Sequence, residues 1–382
     1  MSRNRVIYQS EGLFVSSGLN STTAAQHKQL KRVQSANYSF EITRQDVNQF
    51  GQLARIDALV LQSPTVSLDL SYYLADGFNE SALGFYKQGT GNSNGPTTAG
   101  NFASGQMVSS SGLNFYIVTD SEGIDLNYDN GSANALSGKG IIGVGNGFIT
   151  DYTLDAAVGD FPTVSVSVEG LGFCAATYDI AGNVTGFVGP AINPENGSKL
   201  ATGTGSYIQL PLPSTGDGTT ALRPGDISLS FGTFTGTGGA TPSVVLAGAD
   251  SINIQSVSLS LPMSRTPIER LGSRFAFARV TDFPVTATMT VNALVNEQTA
   301  RNLADMIDDR AERDITLTIN APGTSTPAVK YTFAAARLDS QSFSSDIGSN
   351  KSVDLTFSTQ IGGPNDTVHG IFFSGASDKA FV

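Results

Sequence analysis

The chain has 382 residues and a formal net charge of −11, with only 14% charged residues, against about 25% in ordinary soluble proteins. So acidic a chain has no basic footprint with which to hold nucleic acid, which disfavours stable phosphate binding and leaves room for repulsion. The single cysteine, Cys174, excludes an intrachain disulfide and a thiolate metal site and is expected to be a small buried apolar residue.

In chain order, the opening MSRNRVIYQSEGLFVS has basic residues but no apolar run of signal-peptide length, and nowhere do 18 consecutive apolar residues occur. The expectation is a protein made and kept in a cytoplasm, with no membrane partner. Residues before about 32 read as an irregular polar arm. A long strand region then runs to Leu74, in which VSLDLSYYL alternates Val66, Leu68 and Leu70 with Ser67, Asp69 and Ser71, a half-buried strand. The stretch 79–86, NESALGFY, predicts a short helix capped by Asn79. The run 89–105, GTGNSNGPTTAGNFASG, reads as a loop with almost nothing to bury, within an insertion over 85–113.

LNFYIVT and IIGVGNGFIT are strands, and 189–226 is a Pro/Gly/Ser/Thr-rich connection whose SYIQLPLP lies as an edge strand against a domain surface. Strands resume at DISLSFGTF. NEQTARNLADMIDDRAERD then places Ala300, Leu303, Ala304 and Ile307 on one helical stripe, with Asp305, Asp308, Asp309 and Arg310 largely away from it. ITLTI and VKYTFAAARL form a hairpin about NAPGTSTPA.

The chain contains itself twice. The segment 33–74 recurs at 254–295 with a constant offset of 221, setting Gln34-Ser35 on Gln255-Ser256, Arg44 on Arg265 and Gly51 on Gly272. Val66, Leu68 and Leu70 are answered by Ala287, Met289 and Val291, and Ser67, Asp69 and Ser71 by Thr288, Thr290 and Asn292. A second block, 154–170, lies over 343–359 at an offset of 189, so the first copy carries 32 more residues between the blocks, assigned here to the Gly-rich run. The fold class is therefore all-β with minor α: two tandem β-sandwich domains related by duplication, each flanked by a short helix. The first spans 1–190, a connector 191–225, and the second 226–382.

Chemistry-bearing motifs are weak. Asp125, Asn127 and Asp129 alternate as calcium ligands do, but an EF-hand needs Gly and Glu where Asn130 and Leu136 stand. GKGIIG matches a dinucleotide pattern yet leads into more strand, not a helix. The two histidines, His27 and His369, cannot supply a triad or a His-rich metal site, and Asp305, Asp308 and Asp309 read as a solvated helix face. Asn-Gly-Ser triplets at Asn130 and Asn196 are expected by chance in so Ser/Thr-rich a chain. No enzyme activity, cofactor or metal is expected.

The stretch YSFEITRQDVNQFGQLARIDALVLQSPTVSLDLSYYL, and its second copy LSLPMSRTPIERLGSRFAFARVTDFPVTATMTVNAL, resemble the opening of the major tail tube proteins of long-tailed bacteriophages: a strand, an Arg-containing loop ending near Gly51 or Gly272, then a long strand pair. The resemblance covers roughly 60 residues of each copy and implies a virion structural protein whose sheets join between subunits into a barrel. Rings of that barrel stack into a hollow tube through which phage DNA passes into the host cell. It further implies assembly in a host cytoplasm alongside tape measure, tail terminator and distal tail or baseplate proteins. A duplicated chain is similar to the variant in which three chains make a pseudo-hexameric ring.

Geometry agrees with that count: strands about 4.8 Å apart and tilted near 40° give a 24-stranded barrel a backbone diameter of about 48 Å, whereas 12 strands give only about 24 Å. Duplex DNA, about 20 Å wide, fits the first alone. If the polar face of the repeated strand lines the lumen, Ser67, Asp69, Ser71, Thr288, Thr290 and Asn292 line it; the alternative is that this face points outward. The loops carrying Arg44, Asp46, Phe50 and Gly51, and Arg265, Glu269, Leu271 and Gly272, are candidates for contacts between rings or subunits, with Arg44/Asp46 and Arg265/Glu269 pairing across the contact; the alternative is a solvated loop. The Gly-rich insertion is expected to reach a neighbouring ring or decorate the exterior, which favours a flexible, non-contractile tail. The competing class is a secreted or cell-surface β-sandwich adhesin or carbohydrate-binding protein, disfavoured by the absence of Trp.

Overall fold

The computed structural model describes residues 11–16, 18, 21–60, 63–86, 100–108, 112–120, 125–126, 136–181, 184–195, 197–200, 207–213, 221–231, 253–272, 275–294, 312–344, 351–363 and 366–375. The first copy holds β1 (Glu11–Ser16), β2 (His27–Gln29), β3 (Val33–Glu41), β4 (Arg44–Val47), β5 (Asp57–Val60), β6 (Thr65–Tyr73), α1 (Phe78–Ala82), α2 (Ser104–Val108), β7 (Leu113–Thr119), β8 (Gly140–Ala157), β9 (Thr163–Gly170), β10 (Gly172–Thr177), β11 (Asp179–Ala181) and β12 (Val184–Gly186). The second holds β13 (Ile227–Phe231), β14 (Asn253–Pro262), β15 (Arg265–Ile268), β16 (Ala278–Thr281), β17 (Thr286–Leu294), β18 (Arg313–Asn320), β19 (Pro327–Ser344), β20 (Ser352–Gln360) and β21 (Gly370–Gly375). The fold is all-β with minor α, and every named strand pair is antiparallel.

Both copies share one plan. An 18-residue strand, β8 or β19, runs through two sheets. Its first half pairs with β7 and β10, or with β18 and β21; its second half pairs with β9, or with β20. Each strand changes sheets at a non-glycine residue with positive φ, Asn146 at 54° and Ala335 at 50°, which the offset of 189 makes equivalent. Irregularities repeat as well. The pairing of β3 with β6 shifts between Val33 and Ser35, and that of β14 with β17 between Ile254 and Ser256. Bulges conserved between the copies mark them as features of the fold rather than accidents of sequence.

Alternation builds the core. Val66, Leu68, Leu70 and Tyr72 of β6, and Ala287, Met289 and Val291 of β17, are buried, and one apolar cluster spans both copies. A smaller cluster gathers Phe14, Tyr116, Phe187, Ile208 and Leu210 on the other face of the first copy's second sheet. Among the described residues no helix is long and apolar enough to cross a membrane.

Several expectations fail locally. The supposed arm contains β1, a buried strand paired along its whole length with β7, because Leu13, Phe14 and Val15 supply an apolar run too short to stand out beside its polar neighbours. The helix after Leu74 starts from Gly77, not Asn79; the Asn79 side chain instead bridges the backbone N–H and C=O of Lys31 at 2.8 and 2.7 Å. Part of the Gly-rich run is core: Asn101, Phe102 and Ala103 have no exposure, and Phe102 stacks on Phe85 with centroids 4.3 Å apart. The offset is 221 at β6, 200 at β7 and 189 at β8, so of the extra residues 21 precede β7 and 11 follow it. SYIQLPLP does pack against the first copy, but as an isolated bridge between Ile208 and Phe187 rather than a strand. Cys174 is half-buried, and burial pushes its thiol up. The second-copy helix with Asp305, Asp308 and Asp309, the 127–132 part of the calcium-like motif and residues 89–99 lie outside the described residues.

Candidate functional site

The two copies meet edge to edge in one sheet. The second half of β8 pairs with β14, Leu154 opposite Leu259 and Tyr152 opposite Leu261. The result is a continuous eight-stranded sheet in the order β3-β6-β9-β8-β14-β17-β20-β19. One face packs on the core; the other is polar and faces solvent. A single cross-strand row on that polar face reads Ser35, Ser71, Ser165, Thr153, Ser260, Thr288, Ser358 and Arg337 through all eight strands.

All six lumen candidates fall on this face. Ser35 and Ser71 share a hydroxyl hydrogen bond of 2.7 Å, as do Ser39 and Ser67. The Ser167 hydroxyl donates to Asp69 at 2.7 Å, and the Asn292 amide donates to Asp354 at 2.6 Å. Glu41, Asp69, Asp151, Asp155, Glu169 and Asp354 are set against one cation, Arg337, among the described strand residues of this face. Long cations are therefore scarce on a surface of short hydroxyls and carboxylates.

The junction between the copies is locked from several sides. The Met263 N–H donates to the Thr150 carbonyl at 2.7 Å and the Val158 N–H to the Gln255 carbonyl at 3.0 Å, extending the pairing past both strand ends. The Arg279 guanidinium, almost fully buried, pairs with Glu169 at 2.8 Å. Arg265 lies over the Phe148 ring at 4.6 Å and donates to the Gln106 carbonyl.

Below the sheet, the fully buried Glu80 accepts from the Tyr72 hydroxyl at 2.9 Å and from Tyr152 at 3.4 Å, and Tyr152 meets Tyr331 of the second copy at 2.7 Å. Burial lifts the Glu80 carboxyl from 4.5 to about 7, and the Tyr72 hydrogen bond pulls the other way. The alternation of β6 and β8 makes Tyr72 and Tyr152 inward residues; that a carboxylate joins them has no sequence signal, since Glu80 reads as a helix-surface residue.

The two Arg loops do not behave alike. In the first copy, β4 and β5 form a solvent-exposed hairpin in which Asp46 pairs with Arg55 at 2.9 Å, not with Arg44. In the second, β15 and β16 form the equivalent hairpin, but Arg265 is turned inward to its own chain and so is not an exposed contact residue, while Glu269 is exposed. Both tips match: Phe50 and Leu271 are fully exposed, each followed by a left-handed glycine, Gly51 at φ 84° and Gly272 at φ 87°. GKGIIG opens β8, with no helix behind it, and no cluster of metal-ligating side chains occurs among the described residues.

No family model matches the chain, and no curated protein matches it. Among solved structures, it is similar to a chain of the anti-feeding prophage (AFP) baseplate, 6-fold symmetrised, at 13% identity over 40% of this chain and 93% of that one, with a TM-score of 0.25. It is also similar to the SPP1 tail tube, at 10% identity over 41% of this chain and 81% of that one, with a TM-score of 0.26. At these TM-scores neither likeness assigns a family.

Proposed function

We propose that this protein is a structural subunit of a phage-type tail tube, without catalytic activity, in which three chains close a ring and rings stack into a conduit for double-stranded DNA. The observation that carries this reading is the eight-stranded sheet. Two four-stranded copies already stand side by side in it, and among the described residues the two outermost strands, β3 and β19, have free edges at its ends, in a chain whose own junction pairs the equivalents of those strands.

An eight-stranded sheet repeated three times gives 24 strands and, on the spacing above, a backbone diameter of about 48 Å. The core face is covered by the second sheet, about 10 Å away, so only the polar face can line a bore wide enough for a duplex. Hydroxyls and carboxylates there would repel or ignore phosphate instead of binding it by counterion release, and DNA would slide. On this reading the chain works in the virion, assembled beside tape measure, terminator and distal tail or baseplate proteins.

Negative-stain electron microscopy with sedimentation tests it. Hollow tubes with a bore near 40 Å and three chains per ring are expected. A protein that stays monomeric at every concentration, even with tail-initiation factors, and binds glycans in an array would instead be a surface module.

A further inference from the structure

We propose that β19 of one chain docks on β3 of a second copy in the register that the chain uses between its own halves, with Phe343 opposite Tyr38. This rests on the ring reading above and names its contact. The inference comes from comparing equivalent positions. Tyr38, Phe40 and Phe173 correspond to Leu259, Leu261 and Ile371 by the strand pairings of the two copies. The first three are 41%, 59% and 37% exposed, and the other three 0%.

What covers Leu259 and Leu261 is β8, through Leu154 and Tyr152. Among the described residues no strand but β6 pairs with β3. Tyr38 and Phe40 instead collect on Phe173, with centroids 5.9 and 5.5 Å away, an apolar patch on the core side of an open strand edge. The strand equivalent to β8 is β19, and its residue equivalent to Leu154 is Phe343, 48% exposed where Leu154 is 0%. Carrying the β8–β14 register across with the two offsets sets Ser344 opposite Asn37, Phe343 opposite Tyr38, Ser342 opposite Ser39, and Gln341 opposite Phe40.

The two faces then sort correctly. Ser342 and Ser39 extend the polar side, while Phe343 and Tyr38 close the apolar side. An open edge with inward-facing aromatics is a pairing template that soluble proteins ordinarily blunt, and here both its strands occur on one chain. They cannot meet within that chain, because seven strand spacings of about 4.8 Å set them about 34 Å apart along the sheet.

The test is a cysteine pair, Tyr38→Cys with Phe343→Cys in a Cys174→Ala background, assembled and mildly oxidised. Disulfide-linked dimers and trimers, with no larger ladder, are expected on a non-reducing gel, since direct antiparallel neighbours come within bonding reach. A second pair, Tyr38→Cys with Gln341→Cys, is displaced by two residues, about 7 Å, and should link far less. Tubes that form while neither pair links, or in which the second pair links better, overturn the register but leave the ring reading standing. Failure of the unmodified protein to form rings overturns both. If the variants do not fold, a reconstruction of the unmodified tube decides instead: Phe343 beside Tyr38 of a neighbouring chain supports the register, and any other neighbour refutes it.

Discussion

Replacing Glu80 by Gln should change the pH dependence of folding more than its level. In the folded chain the carboxyl is lifted from 4.5 to about 7 by burial. A raised acid pKa favours the protonated form, so its contribution is most favourable below pH 4.5, falls as pH rises between 4.5 and about 7, and is flat above that. At about 1.4 kcal/mol per pKa unit, the folded chain loses about 3 kcal/mol across that window.

Gln keeps an oxygen that accepts from Tyr72 and carries no proton to lose. Tyr72, Tyr152 and Tyr331, the tyrosines around the carboxyl, do not ionise in this range, their hydroxyls being pushed well above 10 by burial. The assay is urea denaturation of the unassembled chain from about pH 4 to 8, comparing wild type with Glu80→Gln. The gap between them should move in favour of Gln by about 3 kcal/mol over the range. Two stability curves that stay parallel would refute the buried, titrating carboxylate.

Leu259→Ala, at the fully buried junction opposite Leu154, should cost about 3 kcal/mol by the same assay. Ala335 holds φ 50°, so Ala335→Gly should stabilise the unassembled chain by up to about 1 kcal/mol, against the usual loss for Gly in a strand. Phe343→Asp should leave the melting temperature of the unassembled chain within a few degrees of wild type and abolish tubes under electron microscopy, because it sets a charge opposite Tyr38. Replacing Asp69 and Asp155 by Lys should make preformed tubes retain DNA at low salt and release it as salt rises, measured by co-sedimentation.

How much of this was legible in the sequence depends on period and repetition. Alternation in VSLDLSYYL and ATMTVNALV assigned the faces of β6 and β17 correctly, because a half-buried antiparallel strand writes its burial into every second residue. The offsets of 221 and 189 located equivalent strands, and the structure repeats them down to the bulges. What was missed lacks a period. β1 is six residues long, too short for alternation to register. Phe102 sits in a Gly-rich run and is buried between Phe85 and Tyr152 of its own copy and Phe373, 5.2 Å away, and Tyr331 of the second. The inward turn of Arg265 depends on Phe148 and Gln106, contacts more than 100 residues distant. The open edges are likewise invisible until the eight strands are in order.

The central claim is that this sheet closes on itself through second copies of the chain. A cryo-EM reconstruction of the assembled protein tests it most directly, by counting strands around the bore. The account predicts 24, three chains to a ring, with the row from Ser35 to Arg337 facing the lumen; a ring of any other strand count, or one whose bore is lined by the second sheet, would contradict it.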